Sequence, residues 1–192
     1  AFQGSSFKGG DNDVLARDTP WYRIDMTYED STTRTVKYDP LRPNGRKQFI
    51  VDGKTMHRLT LQHKQPVVLF DPDDLRLLHG SPVRRRQFID RFAAQIDLKY
   101  ATALRRYERA LKQRNSLLKQ EASPDVLFAW DVALSEYGAY IIESRRRLLD
   151  SINKRLQEVY RAIAYVDDVV TVRYSQASSD KLQQKLLADL HA

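Results

Sequence analysis

The chain has 192 residues, of which 42% are hydrophobic and 30% charged. Its ten tyrosines, seven phenylalanines and two tryptophans are enough to build a core and exclude a simple disordered tail. The absence of cysteine excludes disulfides, cysteine–zinc sites and thiol catalysis. The formal charge of +7 points to an anionic partner, nucleic acid before a membrane surface.

Residues 1–20, with Gly4, Gly9 and Gly10 among Ser and Asp, read as loop. Residues 21–28 alternate as a strand, with Tyr22, Ile24, Met26 and Tyr28 on one face and Arg23, Asp25 and Thr27 on the other. A second β-rich run covers residues 33–38. Pro43 and Asn44-Gly45 mark a turn, and Asp52-Gly53 between residues 48–51 and 54–56 is a hairpin signature. The first third is therefore expected to be a small antiparallel sheet. A short helix is expected within residues 59–65, then a buried-type strand over Val67, Val68, Leu69 and Phe70, with Asp71 capping a helical turn that opens at Pro72.

Ser81-Pro82 starts the next helix, whose Phe88, Ile89, Phe92, Ala93 and Ile96 make an apolar face. In the helix after it, Tyr100, Leu104, Tyr107, Leu111 and Leu118 form a stripe whose missing member falls at Arg114 or Asn115. After Ser123-Pro124 the stripe from Leu127 to Ile163 steps by three or four, about five heptads or roughly 55 Å of helix. A short connection between two striped helices predicts an antiparallel helical hairpin. Residues 169–174 alternate as a strand, and residues 180–190 predict a last amphipathic helix.

The positive charge is local. Residues 81–120 hold 11 Lys/Arg against 3 Asp/Glu, whereas the other 152 residues hold 21 against 22. With Leu104 at zero and about 100° per residue, the apolar stripe sits near 320°, Arg105, Arg109, Lys112 and Lys119 at about 60–140°, and Arg106 near 200°. Arg105 and Arg109 are a like-charge pair one turn apart, and Arg84, Arg85 and Arg86 crowd a helix start, where the dipole disfavours cations. Three readings stay open at this point: phosphate contact, internal pairing with acidic residues, and a solvated face. Arg145, Arg146 and Arg147 are a second basic run, with Glu143, Asp150 and Glu158 among their neighbours.

Other motifs carry less. Gly53-Lys54-Thr55 looks like the end of a phosphate loop, but that loop needs a glycine where Gln48 stands. Val67 to Asp71 looks like a magnesium-binding Walker B strand, for which helix capping is the simpler role. His57, His63, His79 and His191 match no zinc spacing, and no nucleophile–base set or carboxylate pair stands out. Nothing in these residues commits the chain to catalysis.

The words FDPDDLRLLHGSPVRRRQFIDR, YERALKQRNSLLK and WDVALSEYGAYII, in that order, resemble the middle of the RecF family of bacterial DNA replication and repair proteins. The resemblance runs from residue 66 to about residue 149. Upstream, Gly4-Ser5-Ser6-Phe7-Lys8 is similar to the segment after the family's P-loop helix. Downstream only the order of strand and helix agrees. The resemblance implies an α+β fold: the β-containing lobe of a P-loop (ABC/SMC-like) ATPase head with an inserted antiparallel helical arm. The expected division is a partial head lobe over residues 1–80, the arm over 81–165 and a strand and helix returning to the lobe over 166–192.

By the same resemblance, Walker A is expected before Ala1 and the signature and Walker B motifs after Ala192. No nucleotide-contacting, catalytic or metal-binding residue is therefore assigned here, and ATP and magnesium belong to the intact family member, which would be a DNA-dependent ATPase. ATP-dependent homodimerisation, DNA held in the resulting cleft, and action with RecR and RecO at single-strand gaps are implied too. The expected DNA contacts are Arg84, Arg85, Arg86, Arg105, Arg106, Arg109 and Lys112, each to phosphate and therefore tolerant of sequence. The alternative is an arm that docks a RecR-type protein without touching DNA. A cytoplasmic protein with no membrane partner is expected: there is no apolar run of spanning length and no signal-peptide pattern.

Overall fold

Alternation of apolar and polar side chains builds four strands: β1 (Tyr22–Thr27), β2 (Thr33–Tyr38), β3 (Lys47–Val51) and β4 (Lys54–Met56). They form an antiparallel meander in the order β1-β2-β3-β4. In the computed structural model, which describes residues 9–64, 66–68, 72–175 and 181–191, this sheet belongs to the first of two units, Ala1–Asp74 and Leu75–Ala192. Ile24, Val36, Phe49 and Met56 stand in one cross-strand row. Val36, Phe49, Val51 and Leu59 make the unit's core, with Tyr22 and Met56 packed against it. The next row, Arg23, Lys37 and Gln48, belongs to the opposite face, because side chains alternate along a strand.

The β3–β4 hairpin turns where expected. Asp52 and Gly53 both have positive φ, 50° and 76°, as a type I′ turn requires. Gly45, at φ 70°, also needs its hydrogen: a Cβ there would lie 2.5 Å from His57 Nδ1. The loop before β1 is pinned by polar contacts. Lys47 Nζ donates to Asp11 at 2.5 Å, Tyr22 Oη donates to Asp11 at 3.0 Å, and Tyr38 Oη donates to Asn12 at 2.7 Å. Burial works to raise the Asp11 carboxyl, but these hydrogen bonds from Lys47 and Tyr22 outweigh it and leave it below its ordinary range.

The strand expected near residue 67 is not seen in its described part. Residues 66–68 make no ladder and Val68 is 74% exposed, while Leu69, Phe70 and Asp71 lie outside the described residues. The helix expected within 59–65 is a short 3-10 turn at Leu61–His63.

A 3-10 turn at Pro72–Leu75 ends where the second unit begins and leads into that unit's helices, α1 (Arg76–His79), α2 (Pro82–Ile96), α3 (Leu98–Lys119), α4 (Pro124–Ala164) and α5 (Leu182–His191). Asp97 separates α2 from α3: its carboxylate accepts from the Lys99 and Tyr100 amides at 2.7 and 3.1 Å, a cap worth about 1 kcal/mol. α3 and α4 are antiparallel, with Arg106 beside Tyr137 and Arg114 beside Asp131. The core they share with α2 is built on Ala93 of α2, Tyr100 and Ala103 of α3 and Ile141 of α4, flanked by Leu104, Tyr107, Tyr137, Tyr140 and Leu148. The 41 residues of α4 span about 60 Å against about 33 Å for the 22 of α3, so α4 outruns its partner.

What covers the exposed length differs from expectation. Residues 169–174 form no strand; they run extended along α4. Asn153 Nδ2 donates to the Val172 carbonyl at 2.8 Å and Oδ1 accepts from the Val172 amide at 2.9 Å. One turn on, Gln157 Nε2 donates to the Asp168 carbonyl at 2.6 Å and Oε1 accepts from the Val170 amide at 2.9 Å. Two side-chain amides thus satisfy backbone groups that a neighbouring strand would otherwise take. Among the described residues no helix is long and apolar enough to cross a membrane.

Candidate nucleic-acid interface

The seven candidate cations are distributed over α2 and α3, and all are exposed. Ser81 caps α2 by accepting from the Arg84 amide at 3.5 Å, which puts the triple-arginine run on the helix's first turn. Arg85 turns back: Nη1 donates to the Gly80 carbonyl at 2.8 Å and to Leu77 at 3.4 Å, capping the carbonyl end of α1. A cation there offsets the negative end of the preceding helix, so Arg85 has a local reason for its position.

On α3, about six turns long, the basic residues divide by angle. Arg105 lies along its own helix, with Nε donating to the Ala101 carbonyl at 3.2 Å and Nη2 to Thr102 Oγ1 at 3.4 Å. Arg106 reaches across the seam, its guanidinium carbon 5.9 Å from the Tyr137 ring centre and Nη1 donating to Tyr137 Oη at 3.4 Å. Among the described residues no hydrogen bond or ion pair engages the side chains of Arg86, Arg109 or Lys112. Arg105, Arg109 and Lys112 fall within about 60° of one another around the helix, away from the buried Tyr100, Ala103 and Ala110. Such an array repels itself by a few tenths of a kcal/mol per pair and gains most when a polyanion lies along it.

Two other basic residues have the opposite fate. Arg114, at the gap in the α3 stripe, pairs with Asp131 of α4, which is 2% exposed, and donates through Nη2 to the Leu190 carbonyl of α5 at 3.1 Å. Arg145 grips Asp90 of α2 with two bonds of 2.7 Å and donates to Tyr174 Oη at 3.0 Å. Tyr100 Oη donates to the same Asp90 at 2.5 Å, so one carboxylate joins α2, α3, α4 and the returning segment. Burial, and then the bond to Asp90, push the Tyr100 phenol above its usual range. For Arg145 burial alone favours the neutral form, but Asp90 and Tyr174 more than offset it and hold the guanidinium charged. Of the neighbours, Arg146 lies 3.9 Å from Glu143, and Arg147 donates to Ser144 Oγ at 3.1 Å. Reading residues 145–147 as one basic run therefore misses that its first member belongs to the core. The sequence signal for Arg114 was the break in the apolar stripe; for Asp90 and Arg145 it was a charge beside apolar-face positions.

No family model matches the chain. It is 38% identical over 160 residues to the DNA replication and repair protein RecF of Thermomicrobium roseum, covering 80% of this chain and 40% of that protein. It is 30% identical over 172 residues to RecF of Agathobacter rectalis, covering 87% of this chain and 44% of that one. The chain belongs to the RecF family.

The fold is similar to that of solved RecF structures. A solved RecF–ATP structure, described as a recombination mediator protein of the RecFOR pathway, superposes with TM-score 0.66 over 96% of this chain and 52% of its own, at 24% identity. A second RecF structure, with ATPrS, gives 0.70 over 94% and 52%, at 23% identity. The fold is thus the α+β fold of RecF, and the chain spans less than half the length of the curated RecF relatives named above. Lys54 and Thr55, the phosphate-loop lookalike, are paired with Val51 and Ile50 in a hairpin rather than placed at a helix N-terminus. Among the described residues no group of three or more His, Asp or Glu is arranged to hold a metal ion.

Proposed function

We propose that this chain supplies a DNA-phosphate-binding surface to a RecF-like replication and repair protein acting at single-strand gaps. The contacts are Arg105, Arg106, Arg109 and Lys112 on α3, extended by Arg84, Arg85 and Arg86 on α2; Arg85, Arg105 and Arg106 would contribute what their internal bonds leave free. The observation that carries the reading is the division of charge along α3: Arg114 is consumed by Asp131, while Arg109 and Lys112 are exposed with no acidic partner among the described residues. In this reading residues 1–80 belong to the head lobe, 81–165 to the arm and 166–192 to the return. The intact protein is a cytoplasmic, ATP- and magnesium-dependent homodimer acting with RecR- and RecO-like proteins. The names of its relatives support that wider role.

Phosphate contacts make affinity fall with salt, by about 0.7 to 0.9 in the log–log slope for each contact. Binding of labelled oligonucleotides by the 192-residue chain, measured across a salt series, should show a slope about two to three units shallower in the R105A/R109A/K112A variant. An unchanged slope would sink the assignment. The competing reading, a protein-docking arm, draws on Leu118 and Val126, 44% and 47% exposed on either side of the α3–α4 turn. It is favoured if a RecR-type protein is retained by the chain while DNA gives no mobility shift at moderate salt.

A further inference from the structure

The outward row of the β-sheet carries a second basic cluster, in the unit that does not contain α3. Arg23 on β1 lies directly opposite Lys37 on β2, a like-charge cross-strand pair that costs stability where nothing compensates it. Arg23 has Asp25 at 2.8 Å, and the same carboxylate attracts Lys37, but the group is exposed and these attractions carry little energetic weight. Among the described residues no hydrogen bond or ion pair engages the side chains of Lys37, Arg42 or Arg46. The acid closest in sequence, Asp39, has its Oδ1 accepting from the Leu41 amide at 3.0 Å. These four cations line an open cleft of about 300 Å³ together with Asp39, Tyr38, Gln48 and Trp21. Trp21 is 54% exposed, although it is one of only two tryptophans in the chain.

An exposed indole beside four cations is the combination that single-stranded nucleic acid rewards: the base stacks on the ring and the phosphates meet the cations. The volume matches one small-molecule-sized site. A duplex keeps its base faces stacked inside and has none to offer the indole. An acidic peptide would satisfy the charges but leave the indole unexplained. We propose that Trp21, Arg23, Lys37, Arg42 and Arg46 form a nucleotide-stacking site for single-stranded nucleic acid, with the base on Trp21 and the backbone phosphates on the four cations. This site goes beyond the α3 surface and does not depend on it.

The test uses the full 192-residue chain with Trp130 replaced, W130F, so that Trp21 is the sole indole. Adding a thymidine oligonucleotide at moderate salt should quench its fluorescence, and the quenching should persist in the R105A/R109A/K112A background. Loss of a stacked base predicts a dissociation constant about 5- to 150-fold higher for W21A, followed by anisotropy of a labelled oligonucleotide, with W21F recovering most of the affinity. R42A/R46A should flatten the salt slope by about one to two units. The proposal is overturned if the oligonucleotide leaves Trp21 fluorescence unchanged, or if W21A binds as tightly as W21F. It is equally overturned if polyglutamate, blunt duplex DNA or a free nucleoside triphosphate quenches at least as well as the oligonucleotide at equal charge.

Discussion

Arg109 and Lys112 lie within five residues of Arg114 on the same helix, yet their environments have nothing in common. The first two face water and make no ion pair among the described residues, whereas Arg114 is sealed against Asp131 and ties α3 to α4 and α5. Arg145 repeats the second case on α4, where Asp90 takes both arms of the guanidinium. A buried cation with a fitted carboxylate holds the fold together, and an exposed one without a carboxylate is available to a ligand. Net charge counts the two alike; only the distance to an acid separates them.

The contrast can be broken most sharply at the buried pair. Asp90→Ala would leave Arg145 charged and largely out of water, and should cost about 3 to 5 kcal/mol in a urea titration. A loss below about 1 kcal/mol would mean that Arg145 behaves as a surface residue. Next in size is an effect of pH. Because the folded state holds the Tyr100 phenol above its unfolded value, its contribution to stability is complete below about pH 10 and is lost as pH rises above that. The denaturation midpoint should therefore fall between pH 9 and pH 11, roughly the span over which unfolded tyrosine ionises, and less steeply in Tyr100→Phe. Equal slopes would remove Tyr100 from the network. The smallest expected effect belongs to the outer face, where R105A/R109A/K112A should shift stability by no more than about 0.5 kcal/mol per site. Cooperative loss of helix in that variant would show the outer cations to be structural.

Much of this fold is legible in the chain because its signals are local. Asp52-Gly53 adopts the left-handed angles that its hairpin demands, and Ser81 caps the helix it precedes. The stripe on α4 extends as its spacing predicts. The readings that fail depend on a neighbour. Residues 169–174 have the alternation of a strand, but a ladder needs another strand; here Asn153 and Gln157 supply the partners from a helix. Trp21 shows the same limit at the candidate site: alternation assigns it a face, and nothing in the string places Lys37, Arg42 and Arg46 around it.

The sequence by itself determined the strands of a small antiparallel sheet, the positions of the long helices, the excess of positive charge on residues 81–120 and, through three runs of words, the resemblance to RecF. Each rests on period, caps, turns or identity, which act over a few residues. The tertiary structure alone decided which cations remain free. Arg114 and Arg145 find their acids 17 and 55 residues away, and charge pairing at such separations is fixed by packing that brings distant turns of chain within 3 Å, not by the order of residues along any one helix.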